Sequence, residues 1–205
     1  EWVFEQAQDP LYRDGFDRNL WIWQEYDPAS KYFMAVDVAR GDGEDYSAFH
    51  VWNITTNEIV AEYQGKVAID MYANMVHQAA TRYGTCLVVV ESNNIGFMLI
   101  DKLKDLRYNN LYYSKGDEFI DPLIAENITG ATPGFTTSSK TRPLIIAKME
   151  EMIRNQLVIT RSKRLFGEFK TFVWKNGRPQ AMRSKHDDLV MSFAIACWIR
   201  DAVYE

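Results

Sequence analysis

Tyr32-Phe-Met-Ala-Val-Asp-Val38 is the stretch that decides how this chain is organised. The run is apolar on both faces, as a central strand of a sheet must be, and a single acidic residue interrupts it. Asp37 sits between Val36 and Val38, where an ionised carboxylate is very costly unless it is paired or binds a cation. Asp37 is therefore a candidate ligand. The structural alternative is a buried aspartate paired with Arg40 or hydrogen-bonded to the next turn.

Outward from that strand, Gly41-Asp42-Gly43 reads as a tight turn, residues 48–52 as a second strand and residues 58–63 as a third. Short turns between them make an antiparallel meander. The period then changes: Ile69, Tyr72, Ala73, Val76, Ala79 and Ala80 recur at helical spacing, and Gly84 stops the helix. Leu87-Val-Val-Val90 follows as a buried strand parallel to the first. Residues 96–106 form a helix with Phe97, Ile100, Leu103 and Leu106 on one stripe, and residues 110–113 a short fifth strand. Residues 114–136 read as a loop or hairpin insertion. Helices are expected over 144–157, 162–169 and 188–203, the last apolar nearly all round and hence buried. Between the last two, residues 171–174 and 180–182 flank Asn176-Gly177 as a hairpin. The fold class is α/β, with a mixed five-stranded sheet (three antiparallel and two parallel strands), helices on both faces and a basic β-hairpin. Residues 1–30, with breakers at Asp9-Pro10 and Asp27-Pro28, read as a leader or linker anchored by Leu20, Trp21 and Trp23, and residues 31–205 as the domain.

The bulk numbers bound the function. A chain of 205 residues, 47% hydrophobic and 14% aromatic, suits one domain with a sizeable core. No apolar run approaches the roughly 20 residues of a membrane span. The first residues have neither the basic region nor the apolar core of a signal peptide, and Glu1 is not a start methionine, so the chain is expected to be part of a longer protein. Cys86 and Cys197 lie in apolar contexts and read as reduced core thiols in a cytosolic setting. His50, His77 and His186 have no partner at metal-ligand spacing, which argues against zinc. The net charge of -5 hides a segregation: residues 138–185 hold 12 Lys and Arg against 3 Asp and Glu, so the rest of the chain is strongly acidic. Phosphate affinity follows a local basic surface rather than global charge.

Two further acidic positions join Asp37. Glu91 comes directly after Leu87-Val-Val-Val90, at the carboxyl end of a buried strand, where open sheets place their ligands. Asp187-Asp188 opens the last helix. One aspartate is expected to cap it and the other to project. His186 reads either as a proton carrier or phosphate contact, or as a plain loop residue. A parallel pair of strands sets Asp37 and Glu91 side by side, and a helix packed on the sheet brings its N-terminus over them. Three or four carboxylates without His or Cys make a hard-oxygen site for Mg2+ or Mn2+, and two such ions support hydrolysis of a phosphodiester.

Four stretches carry a resemblance: residues 32–48, Val88-Val-Val-Glu-Ser-Asn-Asn-Ile-Gly96, Gly134-Phe-Thr-Thr-Ser-Ser-Lys-Thr-Arg142 and His186-Asp-Asp-Leu-Val-Met-Ser192. In this order and combination they resemble the nuclease domain of large terminase subunits, the DNA-packaging motors of tailed bacteriophages, over nearly the whole chain from residue 20. The resemblance implies an RNase H-like fold, endonucleolytic cutting of concatemeric viral double-stranded DNA in the host cytoplasm, and two divalent ions. It also implies a portal, a small terminase subunit and an ATPase domain as partners, with residues 1–30 as the linker from that ATPase. Its carboxylates map to Asp37, Glu91 and the Asp187-Asp188 motif, with Asp188 favoured as the ligand, and Asp45 is an auxiliary position. Arg40 stands where some relatives carry an acid. No Gly-x-x-x-x-Gly-Lys-Ser/Thr occurs, so the phosphate-cradling loop of the ATPase is not in this chain.

DNA contacts are expected from Arg40, Lys140, Arg142, Lys163, Arg164, Lys175, Arg178, Arg183 and Lys185, which would hold the phosphate backbone without reading sequence. The dull alternative is an exposed hairpin with solubilising charges. Three other functions compete: a different RNase H-like nuclease of the junction resolvase or integrase type, an actin-like or sugar-kinase-like nucleotide binder, and a non-catalytic DNA clamp.

Overall fold

The computed structural model describes residues 1–39, 43, 45–175, 178–182 and 186–204, without the side chains of Asn94, Val173, Trp174, Lys175, Arg178 and Pro179. Arg40, the first two residues of the 41–43 turn, the Asn176-Gly177 turn, and Arg183 and Lys185 lie outside the described residues.

A single turn, α1 (Trp2–Glu5), leads to strands β1 (Tyr12–Asp14), β2 (Leu20–Ile22), β3 (Tyr32–Asp37), β4 (Ser47–Asn53) and β5 (Glu58–Gly65). Helix α2 (Ile69–Arg82), strand β6 (Leu87–Val90) and helix α3 (Asn94–Asp105) follow. These strands form one six-stranded sheet in the order β1-β2-β5-β4-β3-β6. All neighbours are antiparallel except β3 and β6, which are parallel.

The sheet therefore has six strands rather than five, and the difference lies at both edges. The segment read as a leader contributes β1 and β2, whose Leu20, Trp21 and Ile22 pair with β5 and extend the meander. At the other edge, residues 110–113 do not form a full strand. Val88 donates to the Asn110 carbonyl, Tyr112 donates to the Val88 carbonyl, and the chain then turns away. It continues into a small second sheet of β7 (Tyr113–Lys115), β8 (Glu118–Ile120) and β9 (Thr132–Pro133), in the region expected to be a loop or a hairpin insertion. Past it the chain returns to β6: Phe135 donates to the Val90 carbonyl, and Ser92 donates to that of Phe135.

Period-two alternation splits β3 between two cores. Phe33 and Ala35 face one cluster together with Trp52, Leu87 and Val89, whereas Met34 and Val36 face the other with Val51, Val88 and Val90. The first cluster is covered by α4 (Arg142–Arg154), α5 (Lys163–Phe169) and α6 (Asp188–Val203), and the second by α2 and α3. Helix α6 is buried from Asp188 through Cys197, as its apolar circumference requires. The inward stripe of α3 is shifted from the expected one: Leu99, Ile100 and Leu103 are buried, while Phe97 and Leu106 are largely exposed. Strands β10 (Phe172–Lys175) and β11 (Arg178–Ala181) pair antiparallel as the expected hairpin. No helix among the described residues is long and apolar enough to cross a membrane.

Candidate metal centre

The alternation that builds the cores also builds the site. Asp37 follows Phe33 and Ala35, and Glu91 follows Leu87 and Val89, so both carboxylates leave the sheet on the α6 side. Val36 is in register with Val90, and the Glu91 amide donates to the Val36 carbonyl at 3.0 Å, which sets the two acids side by side at the carboxyl ends of the parallel pair. Tyr72, from the opposite layer, donates its hydroxyl to the Asp37 carbonyl at 3.2 Å and steadies the strand end.

Glu91 is held from three directions. Gly96 starts α3 so close beneath it that an added Cβ would lie 1.8 Å from the Glu91 carbonyl oxygen. Gly134 has φ +94, and a Cβ there would meet Ser92 at 2.6 Å, so glycine permits both the turn and the close approach. The Thr137 hydroxyl donates to Glu91 Oε1, and Ser92 Oγ lies 2.9 Å from Thr136 Oγ1. The Gly134-to-Arg142 motif thus contacts the acidic site directly, and its last residue, Arg142, donates to Asp187 Oδ2 at 2.7 Å.

Helix α6 supplies the third carboxylate. Asp188 is only 7% exposed, and its Oδ2 is buried without a hydrogen-bond partner among the described residues. Burial, then the charges of Asp187 and Asp45, push its carboxyl up to about 7 against the pull of the Tyr46 amide. Burial, then the Glu91 carboxylate and a hydrogen bond shared with it, and then Asp188 and Asp187, hold the Asp37 carboxyl well above the usual range. His186 Nδ1 is 3.8 Å from Asp188 Oδ2, and the His186 ring meets Tyr46 edge-on at 4.8 Å. Asp45 is exposed beside them.

Neither aspartate of the pair caps α6. Asp187 occupies the N-cap position without a side-chain capping bond. The sequence reading missed Glu168 of α5, whose Oε1 accepts from the Leu189 and Val190 amides at 3.0 and 3.1 Å. A glutamate 20 residues upstream has no spacing signal that links it to this helix. Burial first, and then Asp188, Glu62 and Asp187, raise Glu168 to about 8, opposed by the Val190 amide.

Among the described residues no three His, Cys, Asp or Glu side chains close around one point. Asp37 turns to Glu91, and Asp187 to Arg142. The donor chemistry still fits a hard divalent cation. The donors are all carboxylate oxygens, one of them is buried and unpartnered, and two of the acids resist ionisation where they stand.

The basic residues divide. Arg164 is committed inward: its Nε donates to the buried Glu62 at 2.7 Å and its guanidinium lies 4.1 Å over the Trp21 ring, so it is a strut of the core rather than a phosphate contact. Lys163 pairs with Asp9 at 2.9 Å on the surface. Arg142 engages Asp187, and Lys140 is exposed in the turn before α4. The side chains of Lys175 and Arg178, like Arg40, Arg183 and Lys185, lie outside the described residues.

No family model matches the sequence. Solved structures do match the fold. The large terminase nuclease from thermophilic phage G20c with bound magnesium is 18% identical, with a TM-score of 0.71, and the match covers 96% of each chain. The large terminase nuclease domain of Thermus phage P74-26 is 19% identical, with a TM-score of 0.65 over 95% of this chain and 91% of that one. A manganese-soaked, inhibitor-bound human cytomegalovirus terminase nuclease domain is 8% identical, with a TM-score of 0.56 over 88% and 91%. The chain has the fold of the nuclease domain of large terminase subunits.

Proposed function

We propose that the chain is the metal-dependent endonuclease domain of a phage large terminase subunit, of RNase H-like type, cutting double-stranded viral DNA during packaging. One observation carries the reading: two carboxylates from adjacent parallel strands lie beneath a helix N-terminus whose own buried aspartate has an oxygen without a hydrogen-bond partner among the described residues. The metal-loaded neighbours support it.

Asp37, Glu91 and Asp188 would hold Mg2+ or Mn2+, two ions by the family resemblance, with Asp187 and Asp45 at the margin. Bound there, such ions supply charge stabilisation of a phosphodiester and activation of water. The chain's own residues do the rest. β3 and β6 hold Asp37 and Glu91 at one level, Thr137 orients Glu91, and the apolar packing of α6 fixes Asp188 above them. Phosphate contacts fall to Lys140, to Arg40 and to the basic arm around β10 and β11, which carries Lys175, Arg178, Arg183 and Lys185. An ATPase domain, a portal and a small terminase subunit would complete the motor, with concatemeric DNA as substrate and the host cytoplasm as the setting.

The test is nicking of supercoiled plasmid in Mn2+ with a chelator control. Cleavage should need the metal and fall to the chelator level in Asp37→Asn. Unchanged nicking by that variant would sink the metal-site reading.

A further inference from the structure

The first amides of a helix have no intrahelical acceptor and normally take one from the N-cap side chain. In α6 that arrangement is absent among the described residues. Asp187 has φ -132 and ψ 17 rather than the extended backbone of a side-chain cap, and its Oδ2 accepts from Arg142. Leu189 and Val190 nevertheless both have an acceptor, because Glu168 reaches across from α5 with one oxygen for the two amides. Its other oxygen accepts from Gln64 Nε2 at 2.8 Å.

Gln64 is not an arbitrary anchor. It pairs with Ala48, and Ala48 pairs with Asp37, so Gln64 lies in the same row across the sheet as the central carboxylate. The chain of contacts runs from the start of α6 through Glu168 and Gln64 to the level of Asp37. We propose that Glu168 is the positioning residue of the site: a cap supplied by a different helix, which seats the α6 N-terminus over β3 and leaves the Asp188 carboxyl out of the capping role and available to the site. This rests on the metal-site reading above. Small displacements of a supporting element are costly to such a constellation, which gives a buried residue that touches no reacting atom a measurable role.

Mn2+ affinity measured by titration calorimetry on the full chain, with Mn2+ alone as the probe, tests the inference beside thermal melting. Glu168→Gln keeps an oxygen for both amides, and Gln64 can turn its own amide to match, so this variant should bind Mn2+ as the parent does. Glu168→Ala should melt cooperatively but bind about 10–100-fold more weakly, as when the support of a ligand is removed. A cap that merely stabilised the helix would lower the melting temperature and leave the affinity of the folded protein alone, and that result overturns the proposal. If Glu168→Ala does not fold, Glu168→Asp decides, since it keeps the carboxyl group but is one methylene too short; parental affinity there overturns it equally. A parent chain that binds no Mn2+ removes both this inference and the site reading, whereas a binding parent with an equally binding Glu168→Ala removes this inference alone.

Discussion

Two acidic sites lie on the same face of the sheet, two residue rows apart, and they have opposite characters. In the lower row Glu62 is fully buried, and every neighbour serves it: His50 Nε2 at 2.7 Å, Ser162 Oγ at 2.6 Å and Arg164 Nε at 2.7 Å. Burial alone would raise its carboxyl, but Arg164 and His50 outweigh it and bring it down to about 2. His50 in turn meets Ser192 at 2.6 Å, one turn along α6 from Asp188. In the upper row Asp37 lies against Glu91, the charge of Asp188 also bears on it, and Asp188 Oδ2 has no hydrogen-bond partner among the described residues. A buried charge that is fully paired specifies packing. A buried carboxyl left without a hydrogen-bond partner is a cost that the fold retains for another purpose.

The sharpest way to break the comparison is Glu62→Ala. It leaves Arg164 and His50 facing an empty carboxylate position and should cost about 3–5 kcal/mol in urea unfolding. A loss below that of an ordinary surface substitution would mean that the lower row is not structural. The paired character of Glu62 also has a pH signature. Its folded value lies below the ordinary 4.5, so its contribution is present above that and is lost as pH falls from about 4.5 towards about 2.

Asp188→Asn should do the reverse. Because the folded carboxyl titrates near 7 and the unfolded one near 3.8, the folded state holds a proton that the unfolded state has released, and metal-free stability falls as pH rises through that window. The variant should therefore melt above the parent at pH 8, converge with it near pH 4 and nick no DNA. A variant that melts lower at pH 8 would show that the upper row is paired after all.

Gly96→Ala tests how tightly the upper row is built. The new methyl meets the Glu91 carbonyl, so a stability loss of about 1–3 kcal/mol should come with reduced nicking. The smallest effect belongs to Lys140→Ala. With Arg164 in the core, the exposed Lys140 should lower the salt dependence of DNA binding by roughly one phosphate contact and leave melting unchanged. A change in melting instead would place Lys140 among the structural residues.

How much of this could be read in advance differs by residue. The alternation of β3 and β6, the register that follows from a parallel pair and the apolar circumference of α6 are local patterns, and they made Asp37, Glu91 and the Asp187-Asp188 pair candidates, whereas the preference for Asp188 came with the family resemblance. The family resemblance grouped the stretches at 134–142 and 186–192 with them, and the contact of Thr137 with Glu91 came only with the fold. Leu20–Ile22 was taken for linker because a three-residue edge strand carries too few alternations to register as one. Arg164 was read as a DNA contact because a basic residue in a basic stretch looks exposed unless its buried partner, 102 residues away, is known.

The amino-acid sequence by itself determined the layered α/β plan and pointed to the candidate carboxylates, because hydrophobic period and an acid at the edge of an apolar run are properties of neighbours in the chain. Only the tertiary structure decided which charges are paired and which are not. Glu168 capping a helix 20 residues on, Arg164 turned to Glu62, and Arg142 paired with Asp187 are contacts between elements that the chain brings together only on folding. Pairing depends on distance in space, and sequence spacing does not encode that distance once a residue leaves its own helix or strand.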